Sequence, residues 1–116
     1  MSGLHLIFNP NYHISGWHED HRFPMPKYRL LRQLLLSEGT AFEEQFYEAR
    51  PASRKALERV HRTEYLDDFE KGSLDQVMLR RIGLPWSRGL VKRAMASTGG
   101  TLLAGRLALE YGMAIN

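Results

Sequence analysis

Three histidines fall close together at His13, His18 and His21, with Glu19 and Asp20 between the last two. Imidazoles and carboxylates are zinc and iron ligands, so this group is the most chemically suggestive in the chain. The His-x4-His-x2-His spacing matches no standard metal pattern, and the residues do not share one helix face. They are therefore expected to cap a loop and bond to its backbone; a metal-binding module built on the three is the alternative. His61, four residues before Tyr65 at a helix junction, is expected to make a structural hydrogen bond. No nucleophile elbow, phosphate-binding loop, His-Glu-x-x-His helix or dinucleotide fingerprint is present. The absence of cysteine excludes disulfides, thiolate metal sites and cysteine nucleophiles within these 116 residues.

The elements that must position these groups can be read in order. Leu4–Phe8 is an apolar run closed by the turn residues Asn9-Pro10-Asn11, which predicts an opening strand. Asn11 to Pro26, with its histidines, glycine and two prolines, predicts a structured loop. Pro26 can begin a helix that runs to about Glu38 and is closed by Gly39, with Tyr28, Leu31, Leu34 and Leu35 on a buried face. Residues 45–49 suggest a short second strand, followed by a helix from about Ser53 to Val60. Thr63 can cap a helix through Lys71 that Gly72 stops, and Ser73 with Gln76 has the spacing of a capping box. Residues 81–87 read as a loop.

The longest element spans about 87–111, free of proline and ended by Gly112. Val91, Met95, Thr98, Leu102, Gly105 and Leu109 lie on one stripe of it. Gly99-Gly100 costs about 1 kcal/mol per glycine relative to alanine inside a helix, so a surface must press closely there. Residues 113–116 then begin what reads as a buried strand. The order β-loop-α-β-α-α-loop-α-β is that of a parallel α/β sheet with few strands.

Length and composition fit one domain. The chain is 43% apolar and 25% charged, and no apolar run approaches the ~20 residues of a membrane span. Its first ten residues lack the pattern of a signal peptide, and a cytoplasmic location is expected. The net charge is +3, and Arg80, Arg81, Arg88, Lys92 and Arg93 form an acid-free basic run. Arg88, Lys92 and Arg93 share a helix face that could meet nucleic acid or a protein partner, or simply be solvated.

Four blocks in order carry a family resemblance: residues 21–28 (HRFPMPKY), 60–66 (VHRTEYL), 81–87 (RIGLPWS), and 99–105 (GGTLLAG) leading to 112–116 (GMAIN). Together they resemble the N-terminal part of the histone deacetylase superfamily, in its bacterial, class IV-related branch. The resemblance covers nearly the whole chain. It implies an arginase/deacetylase-type α/β fold, with residues 1–116 as the N-terminal portion of a single domain. It also implies a zinc-dependent amidohydrolase acting on acyl-lysine or a related small acylamine.

In that family the strand matched by Ala114-Ile115-Asn116 leads into a Gly-Gly-x-His-His segment, and the zinc ligands come later still. On the resemblance this chain stops before them, so it is expected to hold no catalytic residue, bind no zinc and be inactive alone. The site residues carried over are Arg22, matching an arginine that lines the family's internal channel and would suit an acetate product, and His18 and His21 in the bordering loop. Arg22 could equally tie down its loop by bonding backbone carbonyls. Gly83-Leu84-Pro85-Trp86 lacks the acid that many members use to grip a peptide, which points away from peptide or histone substrates. The expected partner is the remainder of the deacetylase domain, with self-association through an open sheet edge also possible, and no membrane. Nucleic acid enters only through the alternative reading, a stand-alone non-catalytic module using Arg88, Lys92 and Arg93.

Overall fold

The apolar run before Asn9 forms strand β1 (His5–Ile7) in the computed structural model, which describes residues 3–116. Two further strands, β2 (Phe46–Tyr47) and β3 (Ala114–Ile115), flank it in the order β2-β1-β3. Both pairings are parallel, with Leu6 opposite Phe46 on one side and Ile115 on the other. The chain is thus a mixed α/β structure with a small three-stranded parallel sheet and a long C-terminal helix. Gln45 secures the β2 side: its side chain accepts from Phe42 N (2.9 Å) and donates to Leu4 O (3.0 Å).

Among the described residues there are five α-helices, α1 (Lys27–Ser37), α2 (Arg54–Leu57), α3 (Thr63–Lys71), α4 (Gln76–Ile82) and α5 (Arg88–Tyr111), of which α5 packs on β1 and β3. Their ends follow local chemistry. Ser53, Asp75 and Ser87 each accept a backbone N–H from the first turn of α2, α4 and α5. Gly72 and Gly83 close α3 and α4 with positive φ, which only glycine adopts without strain. Two expected caps fall elsewhere. Thr63 lies inside α3, whose N-cap position is Arg62. Ser73 does not cap α4; its hydroxyl donates to Asp68 Oδ1 at 2.9 Å, leaving that role to Asp75.

The main core lies beside the sheet, where Ile14 and Met25 from the long loop meet Phe69 and Leu74 around α3 and Leu90 of α5. Trp86 seals it, donating from Nε1 to Phe69 O (2.6 Å) and packing over Gly72. A smaller cluster of Ala52, Leu57 and Leu66 joins α2 to α3. Arg54 adds ion pairs across the same junction to Asp67 (2.7 Å) and Glu70 (3.4 Å).

The expected apolar stripes are corrected. On α1, Leu31 and Leu34 are more than half exposed and no residue is fully buried. On α5 the buried residues are Leu90, Ala96, Gly99 and Gly100; Leu102 and Leu109 face outward, Leu109 at 92% exposure. The difference arises because helix periodicity reveals a stripe only where something covers it: the long loop and α3 pack on the start of α5 around Leu90, Asn116 beyond β3 meets Ser97 and Thr101, and nothing among the described residues buries Leu102 or Leu109. The expected buried strand at the end is likewise exposed at Ile115. What does hold is the close approach at the glycine pair. A Cβ on Gly99 would overlap the backbone carbonyl of Arg50, and one on Gly100 would overlap the Tyr12 hydroxyl.

Gly99→Ala should therefore destabilise the chain by about 1–3 kcal/mol or more, because backbone must move to admit the methyl. Gly105, on the same helix with no atom near its missing Cβ, is the control. Gly105→Ala should be neutral or stabilise by up to about 1 kcal/mol. Urea unfolding of the two variants reads the contrast directly.

Candidate functional site

In parallel α/β sheets, ligand sites form beyond the carboxyl ends of the strands. Here that edge is held together by three asparagine and tyrosine side chains. Asn9, buried directly after β1, donates from Nδ2 to Ala49 O (3.3 Å) just beyond β2, and its Oδ1 accepts from Asn11 N (2.8 Å). Tyr12, in the 3-10 turn Pro10–Tyr12, donates its hydroxyl to Asn116 Oδ1 (2.5 Å) just beyond β3. Asn116 in turn donates to Ser97 O (3.1 Å) and Thr101 Oγ1 (3.0 Å) on α5. All three strand ends are thereby tied to one another and to the long helix.

Arg93 locks the same corner from the helix side. Its Nε donates to Tyr12 O (3.0 Å), and its guanidinium lies over Phe23 and Tyr28 at 5.3 and 5.1 Å. Lys27 also sits over these two rings, at 4.7 and 5.2 Å. Such contacts contribute roughly 0.5–2 kcal/mol each, depending on solvent access. This revises the expected basic face. Arg88 and Lys92 are exposed, but Arg93 is half-buried and occupied with aromatic rings, so the three cations do not form one free surface.

The histidine loop rises from this corner as a wall between two clefts. Trp17 holds it from within, donating from Nε1 to Phe23 O (2.9 Å) and resting edge-on against His21. His18 and His21 behave as loop caps: the Nδ1 of His18 accepts from Asp20 N (3.2 Å), and that of His21 from Phe23 N (3.0 Å). His13 Nδ1 is buried and has no hydrogen-bond partner among the described residues. His61 stacks on Tyr65 at 5.5 Å, an aromatic contact where a hydrogen bond was expected.

One cleft, of about 580 Å³, is lined by Asp20, His21, Arg22 and Phe23 on the loop and by Gly83 and Leu84 opposite. The other, of about 420 Å³, contains His13, Trp17, His18 and Glu19 against the start of α1. The structure brings Arg22 and His21 together but sets His18 on the far side of the wall. Arg22 is exposed and bonds to no protein group among the described residues, so its charge is available to the cleft. Among the described residues no three histidine, aspartate or glutamate side chains are grouped so that they could hold a metal ion. The positioning residues that sequence reasoning missed are Asn9, Tyr12 and Asn116. Asn9 was visible only as a turn former; nothing local marks the other two.

No family model matches the chain. It is 45% identical over 114 residues to an uncharacterized protein of Picosynechococcus sp., a match covering 98% of this chain and 38% of that protein. The chain thus spans well under half the length of the curated relative it matches. No helix among the described residues is long and apolar enough to cross a membrane.

Two outcomes test the corner. Arg93→Ala should cost roughly 1.5–3 kcal/mol in thermal or urea unfolding, whereas Arg88→Ala should stay within about 0.5 kcal/mol. Tyr12 gives a pH signature. Burial pushes its hydroxyl above the usual phenol value, offset in part by the Asn116 hydrogen bond and the Arg93 guanidinium. The folded state therefore holds this proton more tightly than the unfolded chain. That stability is fully present below about pH 10 and is lost as pH rises through the folded value. Tyr12→Phe should make the loss above pH 10 shallower than in the wild type and cost roughly 0.5–1.5 kcal/mol at neutral pH.

Proposed function

We propose that this chain is the N-terminal part of a class IV-like histone deacetylase-type domain of arginase/deacetylase fold, acting in the cytoplasm. On this reading, hydrolysis of an acyl-lysine or small acylamine belongs to the intact domain, and residues 1–116 supply scaffold and one wall of the active-site approach. The observation that carries it is the approach of three of the four sequence blocks to one another near the carboxyl ends of a parallel sheet. His21–Tyr28 and Arg81–Ser87 face each other across the Arg22 cleft, and the last block ends beside Tyr12 at Asn116. A strand continuing past Asn116 would deliver its next residues to the carboxyl edge, where parallel-sheet sites form.

The match to a much longer relative is in keeping with a domain that needs further residues. Zinc, which the family reaction uses, would be held by residues outside this set. Arg22, exposed and uncommitted, would stabilise a carboxylate product, since a guanidinium pairs with a carboxylate in bidentate fashion. The reading as an interaction module is weakened by Arg93, which is turned inward and leaves only Arg88 and Lys92 of its three cations exposed.

The zinc-loaded, full-length Picosynechococcus relative should release acetate from acetylated lysine or small acetylated amines and lose that activity to a chelator. The present chain with zinc should give no turnover above blank. Failure of the relative on every acylated amine tried would overturn the family assignment. Turnover by the present chain would overturn the placement of catalysis outside it.

A further inference from the structure

A further cleft lies away from the strand ends, between the segment that leaves β2 and the middle of α5. It encloses about 590 Å³, within the range of small-molecule sites. Arg50, Lys55, Arg59 and Arg106 line it, with Glu48 the one acid. All four cations are exposed, and none makes an ion pair or side-chain hydrogen bond among the described residues. Arg32, Arg54 and Arg93, by contrast, are committed to carboxylates, carbonyls or aromatic rings. Counting Glu48 against the four cations, the lining carries a net charge of +3, equal to that of the entire chain.

The walls are rigid where it matters. The floor is formed where Gly99 meets the Arg50 carbonyl, and Ala52 N donates to Met95 O at 2.9 Å. The two sides are therefore fixed relative to each other, and Arg106 stands across from Lys55 and Arg59 without either side needing to close. A cleft of one charge sign with low-dielectric walls concentrates the field and attracts counter-charge. Guanidinium groups match the oxygens of phosphate in bidentate fashion. We propose that this cleft is a binding site for a small molecule carrying two or more phosphate groups, held between Lys55 and Arg59 on one side and Arg106 on the other. The site is independent of the deacetylase reading, because it shares no residue with the Arg22 cleft.

Inorganic pyrophosphate is the probe, titrated into the 116-residue chain by calorimetry at about 50 mM salt. Saturable one-to-one binding is expected, weakening as salt rises. Arg59→Ala with Arg106→Ala should reduce affinity at least tenfold. Arg80→Ala with Arg88→Ala, which removes the same charge elsewhere, should change it less than twofold. Glu48→Gln should tighten binding. All these side chains are exposed, and circular dichroism checks that each variant keeps its helix content. ADP binding as tightly as pyrophosphate would identify the diphosphate as the recognised group. Absence of saturable binding, equal loss in the two double variants, or weaker binding by Glu48→Gln would overturn the site.

Discussion

The fold depends on how closely α5 approaches the strands. At Gly99 and Gly100 the helix has no side chains, and two different parts of the chain use the space: the backbone leaving β2 at Arg50–Ala52, and the Tyr12–Asn116 pair. Adjacent helix residues point about 100° apart, so one glycine serves each side. This lets Ala52 N reach the Met95 carbonyl and Asn116 reach Ser97 and Thr101. Without that approach, the small sheet would lose its contacts with α5 at both β1 and β3.

From that constraint the character of the surrounding chemistry follows. With the strand ends fixed, the loop from Asn11 to Pro26 is anchored at both sides, by Ile14 and Met25 in the core and by Arg93 over Phe23 and Tyr28. Its histidines are then held as a wall with two faces, and Arg22 stands on one of them, near Asp20 but in no ion pair among the described residues. Of the polar residues doing the positioning, Asn9 and Tyr12 are buried and hydrogen-bonded, to the Ala49 carbonyl and to Asn116, which is how buried polar groups are retained without penalty.

How much of this was legible in the residues depended on the range of the physics. Helix ends were readable because they are decided within four residues: Ser87 before α5, Gly72 after α3 and Pro26 before α1. The need for a close neighbour at Gly99-Gly100 was readable for the same reason, since glycine inside a helix is costly without one. Which helix face would be covered was not. The Leu102–Leu109 stripe is as periodic as a buried one, and the leucines of α1 likewise, yet exposure is settled by partners elsewhere. Arg93 illustrates the same limit: its charge is plain, but its aromatic partners are far away in sequence. Of the candidate site, the family resemblance grouped Arg22 with both His18 and His21, and spacing likewise put the two histidines together; that His18 lines the other cleft is set by how the loop folds, which neither could show.

The central position of β1 sets a kinetic order on folding. His5–Ile7 is bordered on one side by residues 46–47 and on the other by residues 114–115. The Tyr12–Asn116 bond beside it closes a span of 104 residues. Contacts this distant in sequence form slowly, since the intervening chain must first be brought together. At a synthesis rate of about 5–20 residues per second, β1 would wait on the order of 5–20 s with one edge bare. The earliest of these three strands is the last to be completed, and during that interval its exposed edge is open to the wrong partner.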